Sequence, residues 1–393
     1  MSMQDRSLNK KRPTTQPTSS IAVLSVGFSL TGAGTVMLGV LLPALSRRWG
    51  LHDDTAGLLL FLQFFGSALG AVFTSLHRIR SLLCGYGLLI ASTCALSFAT
   101  TRAPFVTFFL FGLGLGMTMT STSLLFTDRW RSDRAAKLEW LNFTWSAGAT
   151  AGPVLFLPFL RNSDVRTLFL TLFGLFSLLF AWVVLRERQE PCRPEVAPSE
   201  PATSSAIRFF VPIIVLAMCA VGMEAALSGW LTTYSHRSGM RRLAGAALAT
   251  SLFWLGEMLS RLAFSTRLLA TVGRHTTLQI AMWGLAASVG VLIVAPFPSA
   301  ILAVAAIAGV CMGPLYPLLL SFLLERSARG WIFAVGGFGA AFFPWLTGVL
   351  SAHFQSLRYG LLVPWGAGLL MVALQSITLR PTRTAKEAAP VPS

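Results

Sequence analysis

The chain has 393 residues, of which 54% are hydrophobic and only 12% charged, with a formal net charge of +16. Soluble domains carry about 25% charged residues, so this composition excludes an ordinary water-soluble protein. The positive charge is scattered among short segments between apolar stretches, whereas nucleic-acid binding needs one concentrated basic face interleaved with aromatics.

A bilayer core about 30 Å thick takes roughly 20 helical residues to cross. Apolar stretches of that length recur at 21–43, 55–76, 82–100, 104–126, 136–160, 167–185, 208–234, 243–265, 276–295, 298–324, 330–351 and 358–379. They predict an all-α integral membrane fold of twelve transmembrane helices. Residues 1–20 form a tail with a basic cluster at Lys10, Lys11 and Arg12, but the apolar stretch after it is too long, and lacks the A-x-A-like end, for a cleaved signal peptide. With that tail inside, the larger share of the Lys and Arg falls on the same side, at Arg78 and Arg80, Arg129 to Lys137, the 186–207 segment, Arg267 and Arg274, Arg326 and Arg329, and Arg380 to Lys386. The positive-inside rule then puts both termini in the cytoplasm and the chain in the cytoplasmic membrane.

In the first half, the second span holds Gln63 and the fifth Asn142, two amides that cannot easily satisfy themselves on their own helix. The fourth span carries Gly112, Gly114 and Gly116, a small-residue stripe expected to serve close helix packing. Thr118, Thr120 and Thr122 follow it, although a threonine can hydrogen-bond its own backbone. Residues 186–207 then break the apolar rhythm with charge, serines and four prolines, a linker composition. The chain divides into a six-helix half over 21–185, the linker over 186–207, a second six-helix half over 208–379 and a tail over 380–393. Gly148, Gly152 and Pro153 in the fifth span echo Gly336, Gly339 and Pro344 in the eleventh, as parallel six-span repeats would.

Of the 15 Asp and Glu residues, only Glu224 and Glu257 lie deep inside a span. A midspan carboxylate costs about 2.5–3.5 kcal/mol on insertion scales and marks a functional candidate. In the seventh span Glu224 and Ser228 share a helix face. Glu224 suits hydrogen bonding to a hydroxyl-rich ligand, or carrying a proton. It also suits a purely structural tie between helices. In the eighth span Glu257 and Arg261 stand four apart, where side chains of one helix pair. The pair is as well suited to structure as to function, and a switching role would have Arg261 alternate between Glu257 and Glu224. Trp145, Trp230, Tyr234, Trp254, Tyr316, Trp345 and Trp365 offer flat faces with polar edges; Tyr234 and some of the tryptophans are expected to anchor at the headgroup level instead. Ser321 and Gln375 are further midspan polar groups.

The five cysteines are scattered without metal-type spacing, and the five histidines sit at loops or span ends, so neither a disulfide framework nor a metal or haem site is expected. No G-x-S-x-G, Walker loop or H-E-x-x-H occurs. No enzymatic activity and no cofactor are expected.

The order of motifs resembles the fucose–glucose (FHS) branch of the major facilitator superfamily. The resemblance rests on Leu38, Gly39, Leu42 and Pro43; Gly57, Leu58, Gln63 and Gly66; Leu141, Asn142, Gly148, Gly152 and Pro153; Gly222, Glu224, Gly229, Trp230 and Tyr234; Phe253, Trp254, Gly256 and Arg261; Gly313, Pro314, Tyr316 and Pro317; and Gly336, Gly337, Pro344, Trp345 and Gly348. It covers roughly 38–350. It implies an alternating-access carrier for sugars or related polar solutes, often coupled to protons. The sequence departs from the pattern where family symporters hold acids in the first and fourth spans: Leu30–Thr35 and Thr118–Thr122 contain none. The usual acidic–basic loop after the second span is also degraded around His77, Arg78 and Arg80. Proton coupling would then fall to Glu224 and Glu257.

The expectation is a monomeric secondary carrier for a small polar solute, a monosaccharide first, contacting Gln63, Asn142, Glu224, Trp230, Tyr316 and Trp345, with Glu224, Glu257 and Arg261 as the coupling or ion-pair group. Export of amphipathic compounds, favoured by the aromatic load, and a non-transporting sensor on a carrier scaffold are the alternatives.

Overall fold

The computed structural model describes residues 18–74, 78–99, 104–129, 134–161, 164–186, 207–240, 242–265, 272–295, 297–324 and 331–378. The first half comprises α1 (Thr18–Trp49), α2 (Asp53–Val72), α3 (Arg78–Phe98), α4 (Phe105–Arg129), α5 (Arg134–Leu155), α6 (Leu157–Arg161) and α7 (Val165–Arg186). The second comprises α8 (Ile207–Arg237), α9 (Leu243–Ser265), α10 (Arg274–Val294), α11 (Pro298–Met312), α12 (Leu315–Leu324), α13 (Trp331–Phe354), α14 (Leu357–Gly360) and α15 (Leu362–Thr378). A helix stands at every expected span, and among the described residues 11 spans are long and apolar enough to cross a membrane. The linker and both tails lie outside the described residues, apart from the helix ends that border them, as does His77 in the loop after α2.

Three expected spans are broken where sequence periodicity alone predicts continuity: after Leu155, at Gly313 and at Leu361. Proline explains each break, because it lacks the N–H that would bond four residues back. Pro158 cannot reach Val154, Pro314 cannot reach Val310, and Pro364 cannot reach Gly360.

The two halves repeat one packing scheme. In the first, α1 packs on α5, α2 on α4, and α3 on both α4 and α7; in the second, α8 packs on α13, α9 on α11, α10 on α11, and α10 on α15. Glycine permits the closest of these contacts. A Cβ at Gly112 or Gly116 would run into the carbonyls of Gln63 and Ser67 on α2, and one at Gly256 or Gly309 would do the same between α9 and α11. Gly148 meets Ser29 on α1 as Gly339 meets Met218 on α8. The small-residue echo thus sits at equivalent helix crossings, as close packing in lipid requires. Outward faces carry large apolar side chains such as Val106, Leu178, Leu185, Ile280 and Trp283, all more than half exposed. Such surface is unusual on a soluble monomer and is what lipid tails would cover.

The halves meet along α2 and α13, α5 and α9, and α1 and α8. At the end where α1 hands over to α2, hereafter the Asp53 end, the seam is tight. Gly39 abuts Ser228 and Gly229, Gly57 abuts Trp345 and Gly348, and Leu60 abuts Gly229. Arg237 on α8 grips Asp53 on α2 with two hydrogen bonds of 2.6 and 2.7 Å. Ser351 on α13 donates a third to the same carboxylate at 2.6 Å. Burial follows this closure: α8 is sealed without interruption from Ala225 to Ser235, whereas partly accessible positions recur from Val211 to Glu224. The protein is therefore closed at the Asp53 end and more accessible toward the other.

Candidate functional site

Glu224 stands where α8 passes from its accessible part to its sealed part. Arg261 approaches it from α9, with Nη2 3.9 Å from a Glu224 oxygen. The same nitrogen forms a closer ion pair with Glu257, one helical turn back on α9. Its other terminal nitrogen donates to the Ser146 hydroxyl on α5 at 3.3 Å. One guanidinium thus bridges two carboxylates of the second half and a hydroxyl of the first. Glu257 is wholly buried, while the side chains of Arg261 and Glu224 keep 23% and 16% of their surface. A charge as buried as Glu257 persists only with a partner, since removing one member of such a pair leaves the other uncompensated.

Both aromatic and polar groups pack around the triad. Trp145 of α5 and Trp254 of α9 meet edge to face, with ring centroids 5.1 Å apart. Trp254 donates its N–H to Ser228 at 3.1 Å, so the hydroxyl sharing a face with Glu224 is occupied by the neighbouring helix. At the break, Gly313 at the end of α11 lies against the Glu257 carbonyl and the Ser260 side chain. Tyr316, half-buried on α12, lies within electrostatic reach of both Glu224 and Arg261. Several polar atoms here have no hydrogen-bond partner among the described residues: the second Glu257 oxygen, Arg261 Nε, Trp145 Nε1 and Ser260 Oγ. Buried polar atoms in folded proteins are almost always satisfied, so this seam has the unused bonding capacity expected of a place where a solute, proton or water is held.

The other expected contacts divide. Asn142 is exposed one turn along α5 from Ser146, on the same helix face. Trp345 is half-buried in an aromatic group with Phe61 and Phe342. Gln63 is buried and donates to the Thr35 carbonyl at 2.8 Å, tying α2 to α1, with its oxygen unpartnered. Trp230, expected to line the path, is instead fully buried and gives its N–H to the Pro344 carbonyl at 2.8 Å. In this closed form its polar edge is used up in holding α8 to α13. Tyr234 is not a headgroup anchor either: it is 1% exposed and donates to the Leu292 carbonyl. Thr118 and Thr122 are buried and do not bond their own helix as Thr31 and Thr93 do.

Ser146 and the Asp53–Arg237–Ser351 cluster were not singled out from sequence. Asp53 and Ser351 are 298 positions apart and Asp53 and Arg237 are 184 apart, and nothing in the local pattern of either links them.

Residues 24–330 match the family model described as Major Facilitator Superfamily. A search of curated proteins finds no match. Among solved structures, a POT family transporter in complex with 5-aminolevulinic acid superposes with a TM-score of 0.76 at 14% identity, covering 92% of this chain and 95% of that one. A POT family transporter in complex with a thioalcohol-conjugated peptide gives a TM-score of 0.75 at 14% identity over the same shares. The peptide transporter POT in complex with sulfate gives 0.74 at 14% identity, covering 94% and 95%. At that identity the likeness establishes the fold alone. With more than half of its length matched by the family model, this chain belongs to the Major Facilitator Superfamily and is an integral membrane transporter.

Proposed function

We propose that the protein carries a small polar solute across the cytoplasmic membrane by alternating access, with a monosaccharide as the leading substrate class and with Glu224, Glu257 and Arg261 as the coupling group. The observation that carries this reading is the triad itself. Two carboxylates and one guanidinium meet midway along the bundle, at the level where access stops, and Ser146 joins them to the opposite half. Groups at that depth can sense both the solute and the closure of the halves. Tyr316, Asn142 and Trp345 are the proposed solute contacts nearest in character to sugar recognition, a hydroxyl, an amide and a flat ring. Gln63 and Trp230 belong to the proposal as groups whose bonds would be exchanged when the seam opens.

The test is uptake of labelled hexose and deoxyhexose into proteoliposomes with and without an inward proton gradient. Accumulation only with the gradient is the expected result. Equilibration that ignores pH removes the coupling assignment, and no flux of either sugar removes the substrate class.

A second reading, transport of a zwitterion, is favoured by the presence of both signs of charge in one site. An ammonium would meet Glu224 and a carboxylate would meet Arg261, and the similar folds named above hold 5-aminolevulinic acid and a peptide conjugate. Dipeptide and amino-acid uptake in the same vesicles distinguishes it from the sugar reading.

A further inference from the structure

A small cavity lies at the Asp53 end, away from the triad. It is a partly open space of about 260 Å³, walled by Pro43, Ser46 and Arg47 from α1, by Leu51 just after it, and by Thr233, His236 and Arg237 from α8. The walls come from opposite halves of the molecule. Among the described residues Arg47 has no carboxylate partner; it reaches the Pro43 carbonyl through Nε at 3.4 Å. Arg237 spends its guanidinium on Asp53, which leaves the cavity with an unbalanced positive charge. His236 places Nδ1 2.9 Å from the Met240 carbonyl, and since a carbonyl only accepts, Nδ1 is the protonated nitrogen. Thr233 is 2% exposed, and its hydroxyl has no hydrogen-bond partner. An unpartnered buried hydroxyl beside an uncompensated guanidinium is a donor set without an acceptor.

We propose that this cavity binds an oxyanion, a phosphate, sulfate or carboxylate group, and that filling it holds the Asp53 end shut. Arg47 supplies the planar fork that suits such oxygens, Thr233 the inner donor, and Ser46 a further hydroxyl at the wall. Because α1 and α8 belong to different halves, a group bonded to both is gripped best when the halves are together. A ligand shifts a two-state equilibrium by its difference in affinity for the two states, so this one favours the closed Asp53 end. The cavity lies in the seam at the end the solute must pass when the halves part, away from the triad, and the proposal stands whether the solute is a sugar or a zwitterion. Its occupant is either a free anion or the headgroup of an anionic lipid lying at that end of the bundle.

Thermal unfolding of the whole purified protein tests this with inorganic phosphate as probe, against sodium chloride at equal ionic strength to remove plain screening. Phosphate is expected to raise the Tm by on the order of 2 °C at saturating concentration. The rise should disappear in Arg47→Gln and Thr233→Val and persist in Arg48→Gln, which makes the same charge change outside the cavity. Arg47 is exposed, so its variant is expected to keep the unliganded Tm. Nanodiscs supply the second arm: a Tm gain in phosphatidylglycerol over phosphatidylcholine that needs Arg47, with no phosphate response, assigns the site to a lipid headgroup. A phosphate response that survives Arg47→Gln, or the absence of any Arg47-dependent gain in both arms, overturns the proposal.

Discussion

Arg261 is the residue on which the centre of the protein turns. It neutralises a fully buried Glu257, lies within 3.9 Å of Glu224, and reaches across the seam to Ser146. Arg261→Ala is expected to cost about 3 kcal/mol or more of stability, because Glu257 is left buried without a counter-charge. Pairing it with Glu257→Leu should restore most of that loss, read as recovery of the Tm, while uptake stays absent. Retained uptake in Arg261→Ala would end the switching role. Glu224→Gln is expected to abolish gradient-driven accumulation while sparing solute exchange, and continued pH-driven accumulation would refute that assignment. The sequence exposed these residues through one physical fact, that lipid tolerates few charges. The pairing of Glu257 with Arg261 was legible because helical spacing alone brings them together. Ser146 was not, since a serine in a membrane helix is ordinary and its partner lies 115 positions away. The bond of Trp230 was hidden for a related reason: sequence shows that an indole has a polar edge, not that the Pro344 carbonyl accepts from it in this form.

At the scale of elements, two kinds of join hold the bundle. Within each half, helix backbones touch through glycine. Gly112→Leu should push α4 off α2 and lower expression and Tm sharply, whereas Gly174→Ala on α7, where a Cβ meets open space, should change neither. Between the halves the joins include a charge pair, Asp53 with Arg237, braced by Ser351. Asp53→Asn keeps the shape and removes the charge. It is expected to raise the labelling rate of a cysteine in place of Leu60, buried in the seam against Gly229, by several-fold toward a membrane-impermeant maleimide; an unchanged rate would mean the pair does not hold the seam. The helices and the glycine seams were legible from composition and spacing, because both follow from local rules. The proline breaks were not legible from the spans, whose apolar pattern reads as continuous, and the ion pair of α2 with α8 depends wholly on how distant segments meet.

The whole molecule behaves as two matched bodies, each repeating the same helix crossings, joined chiefly along α2 and α13, α5 and α9, and α1 and α8. The orientation rests on charge: the surplus of Lys and Arg lies on the side opposite the Asp53 end. Reporter fusions at both termini should therefore be active only as cytoplasmic reporters, and a periplasmic signal from either would invert the molecule. Under that orientation the Asp53 end would face outward, and the form described here would be the one more accessible from the cytoplasm.

The contact between Trp145 and Trp254 has an optical consequence. The two indoles sit on different halves and touch edge to face at 5.1 Å, so any rocking of one half against the other must change the distance between two chromophores. The protein carries its own spectroscopic gauge of the motion. A solute that drives the halves apart along this seam will alter tryptophan emission, and Trp145→Phe will silence that part of the response without adding a label.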